Sequence, residues 1–124
     1  MDKHNVSATI ILSVSDKDID DIMVTALEGG ITHWCSKVEV SGEYLGEYAS
    51  DQISRGGSLK LYDIKSRHVF ELTLEKFLTG LRLWIEFERT FRLNGGWRLD
   101  VAKIDAEAAN YIIQYALFGD VIYG

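Results

Sequence analysis

The residues best suited to grip a ligand lie between positions 82 and 98. Arg82, Arg89, Arg92 and Arg98 fall within one stretch, and only Arg55 and Arg67 lie elsewhere. A guanidinium is a planar fork that matches phosphate oxygens two at a time and stacks on aromatic rings. Arg89, Arg92, Trp84, Phe91 and Asn94 sit together at a predicted helix end and the turn after it. Flat rings that stack a base beside arginines that hold phosphates are what a nucleotide pocket requires. The structural alternative is a solvated helix end with a small hydrophobic cluster.

Other constellations carry less. His33 and Cys35 are two residues apart, but the remaining histidines are His4 and His68, and no pair completes the four ligands of structural zinc. His33, Trp34 and Cys35 read as a buried connector, or alternatively as part of a ligand pocket, with Trp34 as the candidate. Cys35 with His68 is the one conceivable nucleophile and base, and no flanking signature supports it. Asp16, Asp18, Asp20 and Asp21 load the first turns of a helix whose dipole favours them. Glu43/Glu47, Glu86/Glu88 and Asp105/Glu107 also read as solvated pairs. Gly29-Gly30, Gly56-Gly57 and Gly95-Gly96 can each expose backbone N–H groups to an anion, but none fits a phosphate-loop pattern. No cofactor or metal is implied.

The elements that position these residues follow from periodicity. Val6 to Val14 reads as a first strand. Ser15 to Asp18 resembles a capping box opening a helix through Leu27, which Gly29-Gly30 would stop in a left-handed conformation. Lys37 to Ser41 alternates as a half-buried strand, and one helical turn is expected around Ala49 to Ser54. Ser58 to Tyr62 and Arg67 to Thr73 form a hairpin across Asp63–Ser66. Thr73 caps a second helix with the stripe Leu74, Phe77, Leu78, Leu81, Trp84 and Ile85, ending near Arg89. Trp97 to Lys103 reads as a short strand. Asp105 caps a last helix with the stripe Ala108, Ala109, Ile112, Ile113, Ala116 and Leu117, stopped by Gly119, and Val121 to Tyr123 is strand-like. The order predicts one α+β domain over residues 1–124, an antiparallel sheet with about three helices packed on it. Leu83, Phe87, Tyr111, Tyr115 and Phe118 lie off the main stripes, which predicts a partner subunit or a ligand and, by frequency, a homodimer.

Composition bounds the rest. Hydrophobic residues make up 47% and charged residues 26% of 124, ordinary for a folded domain. The net charge of −6 repels polyanions and argues against DNA or RNA as the target. No apolar run is long enough for a membrane span. There is no signal-peptide core, and the lone Cys35 suits a reducing cytoplasm.

Three stretches carry a resemblance: Asp18 to Cys35 (DIDDIMVTALEGGITHWC), Gly46 to Gly57 (GEYASDQISRGG) and Ile104 to Phe118 (IDAEAANYIIQYALF). Together they resemble the Thoeris anti-defence sponge family of phages, the first of its type described, over most of the chain apart from Phe87 to Lys103. The resemblance implies a protein of the infected bacterial cytoplasm that binds glycocyclic ADP-ribose tightly and leaves it intact, so that a NAD-consuming effector is never switched on. It implies a dimer or a trimer of dimers, and in some members a separate site for cyclic trinucleotides. Family pockets use an aromatic residue, an Asn and an Arg. Trp84 and Asn94 are the candidates for the first two, and Arg89 or Arg92 for the third. Arg55 falls in a better-matched motif, where the resemblance gives it either the same pocket or the second site. Asp105 and Asn110 line the pocket or only cap and pack the last helix. The competing functions are an enzyme that destroys the signal and a module that blocks a host defence protein by direct contact.

Overall fold

The computed structural model describes residues 3–7, 11–87 and 99–124. Ser15 opens helix α1 (Asp16–Thr25) with the expected reciprocal cap: its hydroxyl accepts from the Asp18 amide, and the Asp18 carboxylate accepts from the Ser15 amide. Ile19, Ile22 and Met23 form the buried face.

The end of this helix departs from expectation. Ala26–Gly30 forms a single wider π turn, closed by the Ile31 amide donating to the Ala26 carbonyl at 3.0 Å. Gly30 is not left-handed. Its small size serves packing instead, because a Cβ there would lie 2.8 Å from the Ala106 carbonyl oxygen.

Three strands form an antiparallel sheet in the order β1 (Cys35–Ser41), β2 (Ser58–Asp63), β3 (Val69–Leu72). Val38 pairs with Leu61 and Val40 with Leu59. Leu59 pairs with Leu72 and Leu61 with Phe70, so the apolar positions share one face. Lys37, Glu39, Lys60 and Glu71 take the other. Strand β1 begins two residues before the expected Lys37 because Ser36 is an extra residue between the Cys35–Asp63 and Lys37–Tyr62 pairs. The bulge lets Cys35 turn inward while Lys37 points out, which simple alternation forbids. At the hairpin, the Asp63 carboxylate accepts from the Lys65 amide and the Ser66 hydroxyl.

Helix α2 (Leu74–Phe87) starts where the Thr73 hydroxyl accepts from the Lys76 amide at 3.2 Å. It buries Phe77, Gly80, Leu81 and Trp84, while Leu78, placed in the stripe by periodicity, is 43% exposed. Helix α3 (Ala106–Phe118) is capped by Asp105 and ended by Gly119 at φ +71, both as expected. Helices α2 and α3 meet at Gly80, where a Cβ would lie 2.6 Å from both the Ala116 nitrogen and the Ile112 oxygen.

Three strand expectations are not met among the described residues. Of Val6–Val14, Ser13 makes an isolated bridge and the described neighbours pair with nothing regular; residues 8–10 lie outside the description. Of Trp97–Lys103, residues 97 and 98 lie outside the described residues, Leu99 makes an isolated bridge and Val101–Lys103 is a 3₁₀ turn. Val121–Tyr123 is not a strand either. Gln114 explains it: its Oε1 accepts from the Ile122 and Tyr123 amides at 2.8 Å each, giving this segment side-chain rather than ladder partners. The described residues thus form one small α+β domain, three α-helices with a three-stranded antiparallel sheet. No helix among them is long and apolar enough to cross a membrane.

Gly80→Ala is expected to destabilise the domain by at least about 1–3 kcal/mol, since the atoms in the way are backbone and α3 must move outward. Urea denaturation checks this. Gly29→Ala, with open space at its Cβ position, serves as the near-neutral control.

Candidate functional site

The loop between β1 and β2 presents accessible recognition chemistry. Tyr44 and Tyr48 are each 61% exposed and Leu45 is 51% exposed. Exposed rings on a mobile loop would lose binding energy to ordering, but this loop is pinned from within. Gln52 is fully buried. Its Oε1 accepts from the Leu45 amide at 2.7 Å and its Nε2 donates to the Tyr48 carbonyl at 2.8 Å. The Asp51 carboxylate accepts from the Glu47 and Tyr48 amides. Ala49–Asp51 is the predicted helical turn, a short 3₁₀ one, and fully buried Ile53 anchors it in the core. The Ser54 hydroxyl donates to Asp20 of α1 at 2.6 Å.

Arg55 follows on this scaffold. Its Nη1 donates to the Asp51 carbonyl at 3.2 Å and lies 3.9 Å from the Asp20 carboxylate, while the side chain stays 46% exposed. A guanidinium has five N–H donors, so most of its fork is open to a further acceptor. Gly46, between the two tyrosines, is flush against this group: a Cβ there would lie 2.6 Å from Asp51 Cβ and 3.3 Å from Arg55 Nη1. The loop therefore joins an accessible cation to accessible aromatic rings on a preorganised backbone. Tyr44 and Tyr48 were not singled out by sequence. Their signal was two aromatics in a glycine-bounded segment without apolar periodicity.

The other expected site residues separate. Trp84 is buried in the core, 6% exposed, which removes its ring from the accessible surface. Trp34 and Asn110 do come together, as a buried pair: the indole Nε1 donates to Asn110 Oδ1 at 2.8 Å, and Gln114 Nε2 donates to the same oxygen at 2.9 Å. Asp105 is the α3 cap, accepting from the Ala108 amide at 2.9 Å. Arg89, Arg92 and Asn94 lie outside the described residues. In the connector, Trp34 and Cys35 are buried as expected but His33 is exposed. Phe118, expected off the main stripe, is half-buried and makes ring contacts with Trp34, Phe70 and Tyr123. Tyr115 stacks on Phe87 at 5.6 Å.

A cleft of about 280 Å³ lies between Gly29, Gly30 and His33 on one side and Ala106, Glu107, Asn110 and Tyr111 of α3 on the other, with Gly124 at its margin. Its described lining holds one carboxylate and neither Lys nor Arg, a poor match for a diphosphate. No three His, Cys, Asp or Glu among the described residues are grouped to hold a metal ion.

Burial pushes the Cys35 thiol above its ordinary pKa, more than the nearby Lys37 and Tyr62 backbone groups lower it. The neutral thiol is thus favoured in the fold. That preference is fully present below the ordinary cysteine value and fades as pH rises through the raised one.

No family model matches this chain, and no curated protein or solved structure matches it.

Two outcomes follow. Gln52→Ala strands the Leu45 amide and the Tyr48 carbonyl and should destabilise by about 1–3 kcal/mol, read as a lower urea midpoint. Native Cys35 should react with an aromatic disulfide reagent at mildly alkaline pH at least about tenfold more slowly than the unfolded chain, read by absorbance.

Proposed function

We propose that this chain is a phage anti-defence sponge: it captures glycocyclic ADP-ribose in the infected bacterial cytoplasm, leaves it intact, and so blocks Thoeris immunity. The observation that carries this reading is Arg55, an accessible guanidinium on an internally pinned loop that also displays Tyr44 and Tyr48. The signal is compact, aromatic and pyrophosphate-bearing, and each part has a counterpart there. Arg55 grips phosphate oxygens in the manner of a charge-assisted fork. A tyrosine ring takes the stacking role first given to Trp84. The same loop is one of the three stretches that resemble the sponge family.

A sponge must hold its ligand near nanomolar affinity, roughly 12 kcal/mol. One arginine and two rings do not supply that alone. The reading therefore includes a second copy of the chain, a homodimer or a trimer of dimers, and the stretch with Arg89, Arg92 and Asn94. The acidic groups around Arg55, among them Asp20 and Asp51, favour a small anion that fits the fork over a long polyanion such as DNA or RNA. The exposed Tyr44, Leu45 and Tyr48 also suit direct contact with a host defence protein, which is the second reading.

Calorimetry with purified glycocyclic ADP-ribose tests the proposal. Arg55→Ala should weaken binding about tenfold to a hundredfold, the range of a hydrogen bond to a charged group, with a stability change below about 1 kcal/mol because its contact with Asp20 is long, at 3.9 Å, and its own side chain is 46% exposed. Heat denaturation should release the ligand unchanged. Recovery of a cleaved product would point to an enzyme, and capture of a host protein without any nucleotide would favour the second reading.

A further inference from the structure

Tyr123 occupies a slot with the features of a base-binding site. Its ring lies parallel to the Trp34 indole, with centroids 4.8 Å apart and an interplanar angle of 1°. Phe118 closes the slot edge-on, 5.8 Å from the Tyr123 ring and 6.2 Å from Trp34. Trp34 is only 2% exposed with that cover in place.

The polar partners around the slot are hydrogen-bond acceptors. Asp63 Oδ2 accepts from the Tyr123 hydroxyl at 3.2 Å, and Gln114 Oε1 accepts from the Ile122 and Tyr123 amides. Both sit on fixed elements. Gln114 is fully buried on α3, and Asp63 is held by the Lys65 amide and the Ser66 hydroxyl, which keep its carboxyl below the ordinary aspartate range. A flat ring with acceptors around it suits a heteroaromatic ring carrying N–H donors. The ionised Asp63 disfavours a phosphate in the same place.

The occupant is held by side chains alone, through Gln114, Asp63 and the Trp34 ring, and not by a helix or a strand ladder. Residues 120–124 follow the left-handed Gly119, form no regular element, and leave Ile122 58% exposed. Gly124 borders the cleft beside Asn110, so departure of this segment would widen that cleft toward Trp34.

We propose that residues 120–124 are a displaceable plug, with Tyr123 standing in a slot on Trp34 that accepts a purine base. Adenosine is the probe. It has no phosphate for Arg55 to grip, and adenosine stacked on the Arg55 loop would not respond to a change at Tyr123, so the comparison of variants separates this slot from the sponge reading. Emptying the slot removes an internal competitor. Tyr123→Ala should therefore bind adenosine about tenfold tighter than the unaltered chain, and Tyr123→Phe, which keeps the ring but loses the Asp63 bond, should fall between them. Equal or weaker binding by Tyr123→Ala overturns the proposal. Hydrogen exchange on the unaltered chain gives a second readout that no substitution can spoil. Saturating adenosine should speed exchange at the Ile122 and Tyr123 amides, as they leave Gln114. Unchanged or slower exchange there, or no adenosine binding at all, also overturns it.

Discussion

A buried chain of amide hydrogen bonds holds the domain's parts in register. Asn110 and Gln114 sit one turn apart on α3, and neither is exposed enough for water to satisfy it. Asn110 takes the Trp34 indole proton from the connector before the sheet. Gln114 bonds Asn110 on one side and the backbone of residues 122 and 123 on the other. An unpartnered amide in this setting would be strongly unfavourable. The connector and the third helix are therefore fixed together, Gln114 ties the segment after them to the same amides, and the Trp34 nitrogen bonds Asn110 while its ring lies parallel to Tyr123.

The loop bearing Arg55 uses the same device. Gln52 replaces the regular ladder or helix bonds that its backbone lacks, with one side chain serving two backbone groups of an irregular segment. Recognition by such a loop depends on its shape being set before the ligand arrives. The sheet supplies the footing at both ends, with β1 entering and β2 leaving, and α1 contributes Asp20 from the side. Accessible chemistry thus rests on buried polar groups rather than on the apolar core alone.

Much of the fold was legible in the residues. The Ser15 box, the hairpin, the Thr73 and Asp105 caps and the Gly119 stop are local signals, and local hydrogen bonds decide them. The failures share a cause: long-range contacts outweighed local preference. Gly29-Gly30 looked like a helix stop, yet Gly30 is small because α3 presses on it. Val121–Tyr123 looked like a strand, yet a glutamine eight residues away took its amides. Less of the site was visible. Arg55 stood out by its motif, whereas Trp84 and Phe118 have the same composition whether a ring faces ligand or core. Asn110 and Gln114 were hidden in plain sight, since polar residues on an apolar helix gain meaning only from what they touch. Arg89, Arg92 and Asn94 lie in the stretch outside the description.

The contact at Gly80 constrains how this protein can change over generations. Most tight spots in a core can be relieved by trimming the opposing side chain, so a larger residue on one helix is tolerated after a smaller one appears on the other. Here the opposing atoms are the nitrogen of residue 116 and the oxygen of residue 112, which every amino acid carries. No second substitution at either position can make room. Drift at this point is barred from one side only, and the crossing of the two helices is inherited as a unit with its glycine.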